Sequence, residues 1–256
     1  MTRIIGILSG KGGVGKTTLV SNLSYFLTEL GYDVTAMDAN LTTPLLGMHL
    51  GMHLVPKTLH DVLRGIAPLR HATYTHPLGF KVIPGSLSIN DLTGIDVGKL
   101  PSVALSMLGK TDFLILDSAP ALGREAMSAL QSAEEVILIT NPDLPSVADA
   151  LKTAEIAEDM NKKILGVVVN RVKGKWNEMP ISEIRSMLNY PILAQVPEDR
   201  DVHRSLAAKK PIADFAPESP AALEMKRLAH YIAGRDFTQV KVNQGFMEWL
   251  IGWMTR

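Results

Sequence analysis

The chain has no cysteine, few aromatic residues and no excess of charge of either sign. Without cysteine it cannot form disulfides, thiolate metal sites or cysteine-ligated iron–sulfur clusters. Its Lys and Arg residues number 26 and its Asp and Glu residues 26, so the formal net charge is +0 and no global basic field exists to hold nucleic acid. The basic residues are scattered among acidic ones, and a nucleic-acid partner is therefore not expected.

Long apolar runs are lacking as well. No segment approaches the ~20 residues that a membrane-spanning helix requires. The first apolar run, Ile4 to Leu8, leads directly into a glycine-rich loop, which is typical of a strand and not of a signal peptide. Hydrophobic residues make up 46% of the 256 residues, an ordinary globular composition. The absence of cysteine fits a reducing cytoplasm, which is the location we expect.

Short aliphatic runs alternate with longer segments of helical periodicity. The runs are mostly continuously apolar, as strands covered on both faces of a sheet are. From Thr17 to Leu30 large apolar residues recur at helical spacing, and Gly31 follows where a C-cap glycine belongs. The pattern predicts an α/β fold with a doubly wound, mostly parallel sheet flanked by helices. The predicted strands are Arg3–Ser9, Asp33–Met37, Phe80–Pro84, Phe113–Asp117, Val136–Thr140, Ile164–Asn170 and Ile192–Val196.

The first predicted strand is followed by GKGGVGKTT, which matches the phosphate-loop pattern G-x-x-x-x-G-K-[ST]. Glycines allow consecutive N–H groups to point at phosphate oxygens, and the next helix presents its positive end to them. Lys16 would reach the β- and γ-phosphates, and the Thr17 hydroxyl would bind Mg²⁺. The strand before the loop and the helix after it argue against a chance glycine-rich turn. The loop residues predicted to bind ATP or ADP are Gly10, Lys11, Gly12, Gly13, Val14, Gly15, Lys16, Thr17 and Thr18.

Lys11 directly follows the first glycine, where an ordinary phosphate loop needs no lysine. The run Lys-Gly-Gly-x-Gly-Lys-Thr-Thr resembles the deviant Walker A motif of the MinD/ParA superfamily. In that family the extra lysine crosses a nucleotide-sandwich dimer and touches the phosphates of the partner. The resemblance implies an ATP-dependent homodimer in which Lys11 neutralises charge that develops in the transition state.

Asp117 ends the apolar run Phe-Leu-Ile-Leu, which is the Walker B pattern. Its carboxylate would hold a water on Mg²⁺, while capping of the next helix is the alternative role. The residues that follow resemble the switch II segment of the family, with one extra residue between Ser118 and Pro120. Gly123 then comes two residues late, and we expect it to give backbone flexibility near the γ-phosphate.

The second predicted strand leads into Met-Asp-Ala-Asn, which resembles switch I, where the family usually has Asp-x-Asp. The resemblance places Asp38 at the metal and in the catalytic machinery, and it puts Asn40 where the second aspartate positions or activates the attacking water. An amide can orient water but cannot accept its proton. Phosphoryl transfer depends mainly on positioning and charge stabilisation, so we expect slow or partner-dependent hydrolysis.

Three later segments also resemble the family, and all of them follow predicted strands, where open α/β sheets bind ligands. Asn141-Pro142-Asp143 follows the fifth strand. Taken singly, each segment could equally be a turn or an N-cap, but their order favours adenine, and no guanine-reading Asn-Lys-x-Asp occurs. The residues that the resemblance places around the adenine are Asn170, Arg171, Pro197, Glu198 and Asp199.

The last residues of the sequence form an apolar segment after a polar stretch. Wound as a helix, the segment would be amphipathic with an aromatic face suited to a membrane interface, and bacterial MinD proteins end in a similar membrane-targeting helix. Few lysines accompany it, so aromatic insertion would carry the binding. Packing on its own core, on another protein or on the dimer mate are the alternatives. The predicted membrane-binding residues are Phe246, Met247, Trp249, Leu250 and Trp253.

These expectations divide the chain into a phosphate-loop ATPase domain over residues 1–235, a hinge over 236–244 and a membrane-targeting helix over 245–256. The resemblance is strongest to the archaeal branch of MinD. It implies a cytoplasmic ATPase, attached peripherally to the inner face of the cell membrane, that positions a protein cargo in cell division or at a pole and is stimulated by an activator. A nucleotide-gated scaffold that barely hydrolyses ATP and recruits a partner protein is one alternative. A ParA-type segregation protein on DNA is another, disfavoured by the neutral charge.

Overall fold

A computed structural model describes residues 1–237 of the chain. The predicted membrane-targeting helix and nearly all of the predicted hinge lie outside the described residues. Eight strands form one sheet in the order β3-β4-β2-β5-β1-β6-β7-β8, and every pair is parallel except β3 with β4. The strands are β1 Arg3–Leu8, β2 Val34–Ala39, β3 Tyr74–Thr75, β4 Lys81–Ile83, β5 Phe113–Ser118, β6 Glu135–Thr140, β7 Lys163–Val172 and β8 Ile192–Pro197.

Helices cover both faces of this sheet. Alternate residues of β1 separate two apolar clusters: Ile5 and Ile7 pack with α1 and α10, while Ile4 and Leu8 pack with α4 to α7. Burial on both faces explains why the strands are continuously apolar. No helix within residues 1–237 is long and apolar enough to cross a membrane. The helices are α1 Lys16–Glu29, α2 Leu46–His49, α3 Leu59–Leu63, α4 Leu100–Leu105, α5 Arg124–Ser132, α6 Leu144–Asp159, α7 Ile181–Leu188, α8 Arg200–Ala207, α9 Ile212–Phe215 and α10 Pro220–Ile232.

The prediction of a doubly wound, mostly parallel sheet is confirmed, and each of the predicted strands is present within a few residues of its expected ends. The first predicted helix is α1, which Gly31 follows at a φ of 90°. The sequence reading missed β3, because a two-residue antiparallel edge strand carries no periodicity to detect.

The strand order brings three functional segments together at the carboxyl edge of the sheet. The phosphate loop follows β1, and β5 lies between β1 and β2. In the register of β2 with β5, Asp38 is directly opposite Asp117. Adjacent parallel strands ending at one edge therefore place both carboxylates beside the phosphate loop, at the position where such sheets bind ligands.

Candidate nucleotide and magnesium site

Close packing around the phosphate loop leaves no room for side chains at two of its glycines. A Cβ on Gly10 would lie 2.4 Å from the backbone oxygen of Asp149 in α6, and a Cβ on Gly15 would lie 2.3 Å from the amide nitrogen of Asn170. Gly15 also has a φ of 104° as the N-cap of α1. The loop is thus wedged between α6 and the end of β7, and its shape is set by these neighbours.

The backbone of the loop is arranged to receive an anion. Within residues 1–237 we find no acceptor for the N–H groups of residues 11–15, which lie at the positive end of α1. The Lys16 side chain is buried, and its Nζ donates to the Ser9 hydroxyl at 2.7 Å. Burial lowers the pKa of Lys16, and the nearby Asp117 carboxylate counteracts that shift. Unpaired donors and a desolvated ammonium group are what a phosphate chain requires.

Asp117 and Asp38 are almost completely buried side by side. Both oxygens of Asp117 lack a hydrogen-bond partner among the described residues. Burial raises the pKa of Asp117 to about 6, and the Thr17 hydroxyl and the Lys16 ammonium group counteract the shift. Burial and the negative charge of Asp117 raise the pKa of Asp38 well above its usual range, although Asp38 accepts backbone N–H groups from Leu46 at 3.0 Å and Asn40 at 3.2 Å.

These carboxylates fit a divalent cation. A buried carboxylate with two unpartnered oxygens is costly unless a charge compensates it, and carboxylate and hydroxyl oxygens are the ligands that Mg²⁺ prefers. Thr17, in the first turn of α1, is close enough to affect the Asp117 carboxylate. The predicted metal set of Thr17, Asp38 and Asp117 is therefore gathered in one place, and among the described residues the two oxygens of Asp117 are left without a hydrogen-bond partner.

Residues 38–46, the segment that resembles switch I, are held in place by hydrogen bonds within the segment and to Glu125. Asn40 donates its amide to the backbone oxygen of Thr43 at 2.7 Å, and its side-chain oxygen accepts the Thr43 hydroxyl at 3.2 Å. Glu125 in α5 accepts the backbone N–H of Thr42 at 3.1 Å and also its hydroxyl. Asn40 thus points into its own loop. The sequence reading missed Glu125, which links switch I to switch II.

In the switch II loop the left-handed backbone lies at Ala121, whose φ is 62°, and not at Gly123. Gly123 is the N-cap of α5 with a φ of −69°, and a Cβ there would meet nothing within 4 Å. No packing demand explains the glycine, so its role in flexibility stays a prediction. Pro120 of the same loop lies near the phosphate loop, 3.7 Å from a Cβ placed on Gly12.

A cavity beside the phosphate loop brings the residues predicted for adenine together. Asn170 donates to the Val14 backbone oxygen at 2.6 Å, which ties the end of β7 to the loop. The Asp199 carboxylate caps two helices, since it accepts N–H groups of Asp201 in α8 and Ala221 in α10. The lining includes Gly15, Thr18, Asn170, Arg171, Pro197, Glu198, Asp199, Val202, His203, Leu206 and Met225.

Some of that lining was not predicted from the sequence. His203 and Val202 lie in the first turns of α8, and the His203 Nε2 lies 4.0 Å from a Glu198 oxygen. Glu198 also lies 4.0 Å from the Arg171 guanidinium group. The helical spacing from Asp199 could have indicated His203, but nothing in the sequence marks Met225, which comes from α10 on a distant part of the chain.

The side chain of Lys11 lies at the surface of the protein, although its backbone is part of the phosphate loop. About half of its side chain is exposed, and its Nζ lies 4.0 Å from the Asp143 carboxylate. Asp143 is the N-cap of α6 and accepts the Ser146 N–H at 2.9 Å. Lys11 is therefore placed at the surface of the carboxyl edge, away from the buried Lys16.

Three features lie together at one edge of the sheet: a closely packed glycine loop, a buried lysine and a buried carboxylate that suits a metal ion. Together they define a phosphate-loop nucleotide-binding protein. Residues 5–212 match the family described as the CobQ/CobB/MinD/ParA nucleotide binding domain, and the chain belongs to this family. An uncharacterized ATP-binding protein of Methanocaldococcus jannaschii is 34% identical over 237 residues, which is 93% of this chain and 90% of the relative.

Two solved structures from archaea share this fold. The septum site-determining protein MinD of Pyrococcus horikoshii, complexed with Mg-ADP, superposes with a TM-score of 0.88 at 38% identity and covers 91% of this chain and 96% of its own. The cell division ATPase MinD of Pyrococcus furiosus has a TM-score of 0.89 at 36% identity and covers 91% and 99%.

The raised pKa of Asp117 predicts a pH-dependent stability in metal-free protein. The folded state holds the Asp117 proton more tightly than the unfolded state does, so its contribution is present at pH 4 and lost as the pH rises through about 6. Asp117→Asn removes this loss, and its free energy of unfolding should gain about 2 kcal/mol on wild type as the pH rises from 4 to 8. Urea unfolding in EDTA measures the difference.

Asp149→Asn, at a half-buried aspartate away from the Asp38–Asp117 pair, is the matched control and should keep the pH dependence of wild type. An Asp117→Asn variant whose stability runs parallel to that of wild type over this pH range would contradict the assignment of the titrating group.

Proposed function

We propose that the chain is an ATPase that binds Mg-ATP at the phosphate loop, dimerises in the ATP state and positions other proteins at the membrane. The observation that carries the nucleotide part is that two sets of groups without partners in residues 1–237 occur together: the buried oxygens of Asp117 and the N–H groups of residues 11–15. Mg²⁺, when bound, would neutralise charge on the β- and γ-phosphate oxygens. Mg-ADP in the related Pyrococcus horikoshii protein supports this assignment.

In this proposal different residues of the chain bind the phosphates, the metal and the adenine. Lys16 would contact the β- and γ-phosphates, and Thr17, Asp38 and Asp117 would hold the metal. Asn170 would fix the adenine side by its bond to the Val14 oxygen. Asn40 donates its amide N–H to the Thr43 oxygen and has no carboxylate to accept a proton from water, so we expect slow turnover.

Two features of the carboxyl edge support a dimer across the nucleotide. Lys11 is half exposed there, paired only loosely with Asp143 at 4.0 Å. The loops at the same edge also carry several large apolar side chains in contact with solvent, which are candidates for burial in an interface. These side chains are Leu45, Met48, Leu54, Leu144 and Trp176, which follow β2, β6 and β7.

The membrane part of the proposal rests on the sequence after residue 237. A domain over residues 1–235, followed by a hinge and an aromatic amphipathic helix, would attach weakly as a monomer and more firmly as a dimer with two helices. The cell division role of the related Pyrococcus furiosus protein supports a positioning task at the inner face of the cell membrane. The cargo and activator would be proteins.

A nucleotide-gated scaffold with little hydrolysis is the second candidate. The observation that favours it is Asn40 itself: an amide stands where the family usually has an aspartate, and that amide is hydrogen-bonded to Thr43. Both candidates bind Mg-ATP and dimerise, and they differ in turnover.

The position of Lys11 predicts that Lys11→Ala keeps its affinity for ADP but loses the ATP-dependent dimer. Turnover should fall about tenfold or more, because a cation supplied in trans stabilises the charge of the transition state. Light scattering with Mg-ATP and with Mg-ADP, together with phosphate release, measures both effects. Lys175→Ala, at another exposed lysine of this edge, is the control and should behave as wild type. Dimerisation of Lys11→Ala at wild-type levels would refute the trans role.

The amphipathic segment proposed for residues 245–256 predicts that the chain binds membranes in a nucleotide-dependent way. The full chain should cosediment with liposomes more strongly with Mg-ATP than with Mg-ADP, and a chain truncated before Gly245 should lose this sedimentation. Truncation should not alter ADP affinity, because the phosphate loop and the lining of the adjacent cavity lie within residues 10–225. Equal sedimentation with both nucleotides would refute the switch, and unchanged sedimentation after truncation would refute the anchor.

Substitution of Asn40 tests whether the missing carboxylate is what limits the rate of ATP turnover. Asn40→Asp supplies a carboxylate and disrupts the bond to the Thr43 oxygen, so the turnover of an ATPase limited by the missing base should rise about tenfold or more. Asn40→Ala, which breaks the same bond without adding a base, is the matched control. Turnover that stays unchanged in Asn40→Asp would indicate that the missing carboxylate does not limit the rate.

A further inference from the structure

His60, the second residue of α3, is completely buried and links two loops at the carboxyl edge of the sheet. Its Nε2 lies 2.9 Å from the backbone oxygen of Leu41 in switch I, and its Nδ1 lies 3.0 Å from the backbone nitrogen of Ser86. A carbonyl can only accept and an N–H can only donate, so the ring is neutral with its proton on Nε2. The imidazole therefore donates to Leu41 and accepts from Ser86.

The ring has little freedom to leave this position. A Cβ on Gly85 would lie 2.4 Å from the Pro44 Cβ and 3.3 Å from the Cε1 of His60, so the loop after β4, switch I and the ring are in close contact. Asp91 anchors the same loop, because it accepts the Ser86 hydroxyl at 2.5 Å and pairs with Arg64 of the α3 C-cap at 2.9 Å. His60 thus ties switch I to a fixed part of the protein.

The Leu41 carbonyl lies between two switch I residues that make polar contacts. Asn40, before it, donates its backbone N–H to Asp38, and Thr42, after it, is held by Glu125. The Leu41 carbonyl and the Thr42 N–H belong to one planar peptide unit, so a rotation of that unit would also move the N–H that Glu125 accepts. The bond from His60 fixes the orientation of that peptide.

We infer that His60 is a positioning residue for ATP hydrolysis, which holds the Leu41 carbonyl and so fixes the backbone of switch I next to Asn40. His60 acts only through that backbone. The inference rests on the proposed ATPase function.

Two substitutions separate the two bonds of the ring. In His60→Gln the amide nitrogen is as many bonds from Cα as Nε2, so a donor for the Leu41 oxygen is kept. In His60→Asn the side-chain oxygen is as many bonds from Cα as Nδ1, so an acceptor for Ser86 is kept and the Leu41 bond is lost. His76 offers the matched control, since it is buried with Nε2 3.2 Å from the Leu50 oxygen and Nδ1 accepting the Leu78 N–H at 3.2 Å.

The measurement is kcat with Mg-ATP, together with ADP affinity and the melting temperature of each variant. His60→Asn should lower kcat about tenfold or more with ADP affinity unchanged, because small displacements of positioning groups cost rate more than binding. His60→Gln should keep most of the wild-type kcat, and His76→Asn should keep it fully. Equal loss of kcat in both His60 variants, or wild-type kcat in His60→Asn, would overturn the inference.

Hydrogen exchange distinguishes a failure of this inference from a failure of the proposed function. In nucleotide-free protein, amides of residues 40–46 should exchange faster in His60→Asn than in wild type, His60→Gln or His76→Asn. If wild type shows no turnover, the proposed ATPase function fails while exchange still reports on His60. Exchange of residues 40–46 that is equal in all four proteins would overturn the positioning role.

Discussion

Two carboxylates buried next to each other at the carboxyl edge of the sheet are the constraint around which this site is built. Asp38 and Asp117 face each other across β2 and β5 in an environment that excludes water. Such a pair opposes folding unless charge or hydrogen bonds compensate it. Lys16, the first turn of α1 and the N–H groups that Asp38 accepts supply part of the compensation, and a divalent cation would supply the rest.

The compensation of Asp38 also shapes switch I. Its carboxylate accepts N–H groups of Asn40 and Leu46, so the segment must fold back over the end of β2. His60 and Glu125 then hold Leu41 and Thr42, two of the residues between these anchor points. The buried Asp38 carboxylate is thus coupled to the conformation of switch I through these hydrogen bonds. Coupling between a charged site and a neighbouring loop is what a nucleotide-dependent switch requires.

Much of this architecture was predictable from local signals. Most strands of the sheet are short apolar runs, and the phosphate loop, Lys11, Asp117 and Asn170 lie at or after their ends at spacings that a resemblance to the MinD/ParA family can recognise. The prediction was weakest where a residue has alternatives: Asp199 lies in the predicted segment, but its carboxylate caps α8 and α10. Gly123 was expected for its flexibility, yet the left-handed residue of that loop is Ala121.

The sequence by itself determined the class of fold, the anion-binding loop and the kinds of side chain available for a metal, because these depend on periodicity and on contiguous residues. Only the tertiary structure decided that Asn40 is bonded within its own loop, that Glu125 joins the two switches and that His60 anchors Leu41. Those contacts join residues that are up to 83 positions apart or that could equally have faced solvent. A hydrogen bond between distant residues has no periodicity, and it becomes visible only when the sheet brings its partners together.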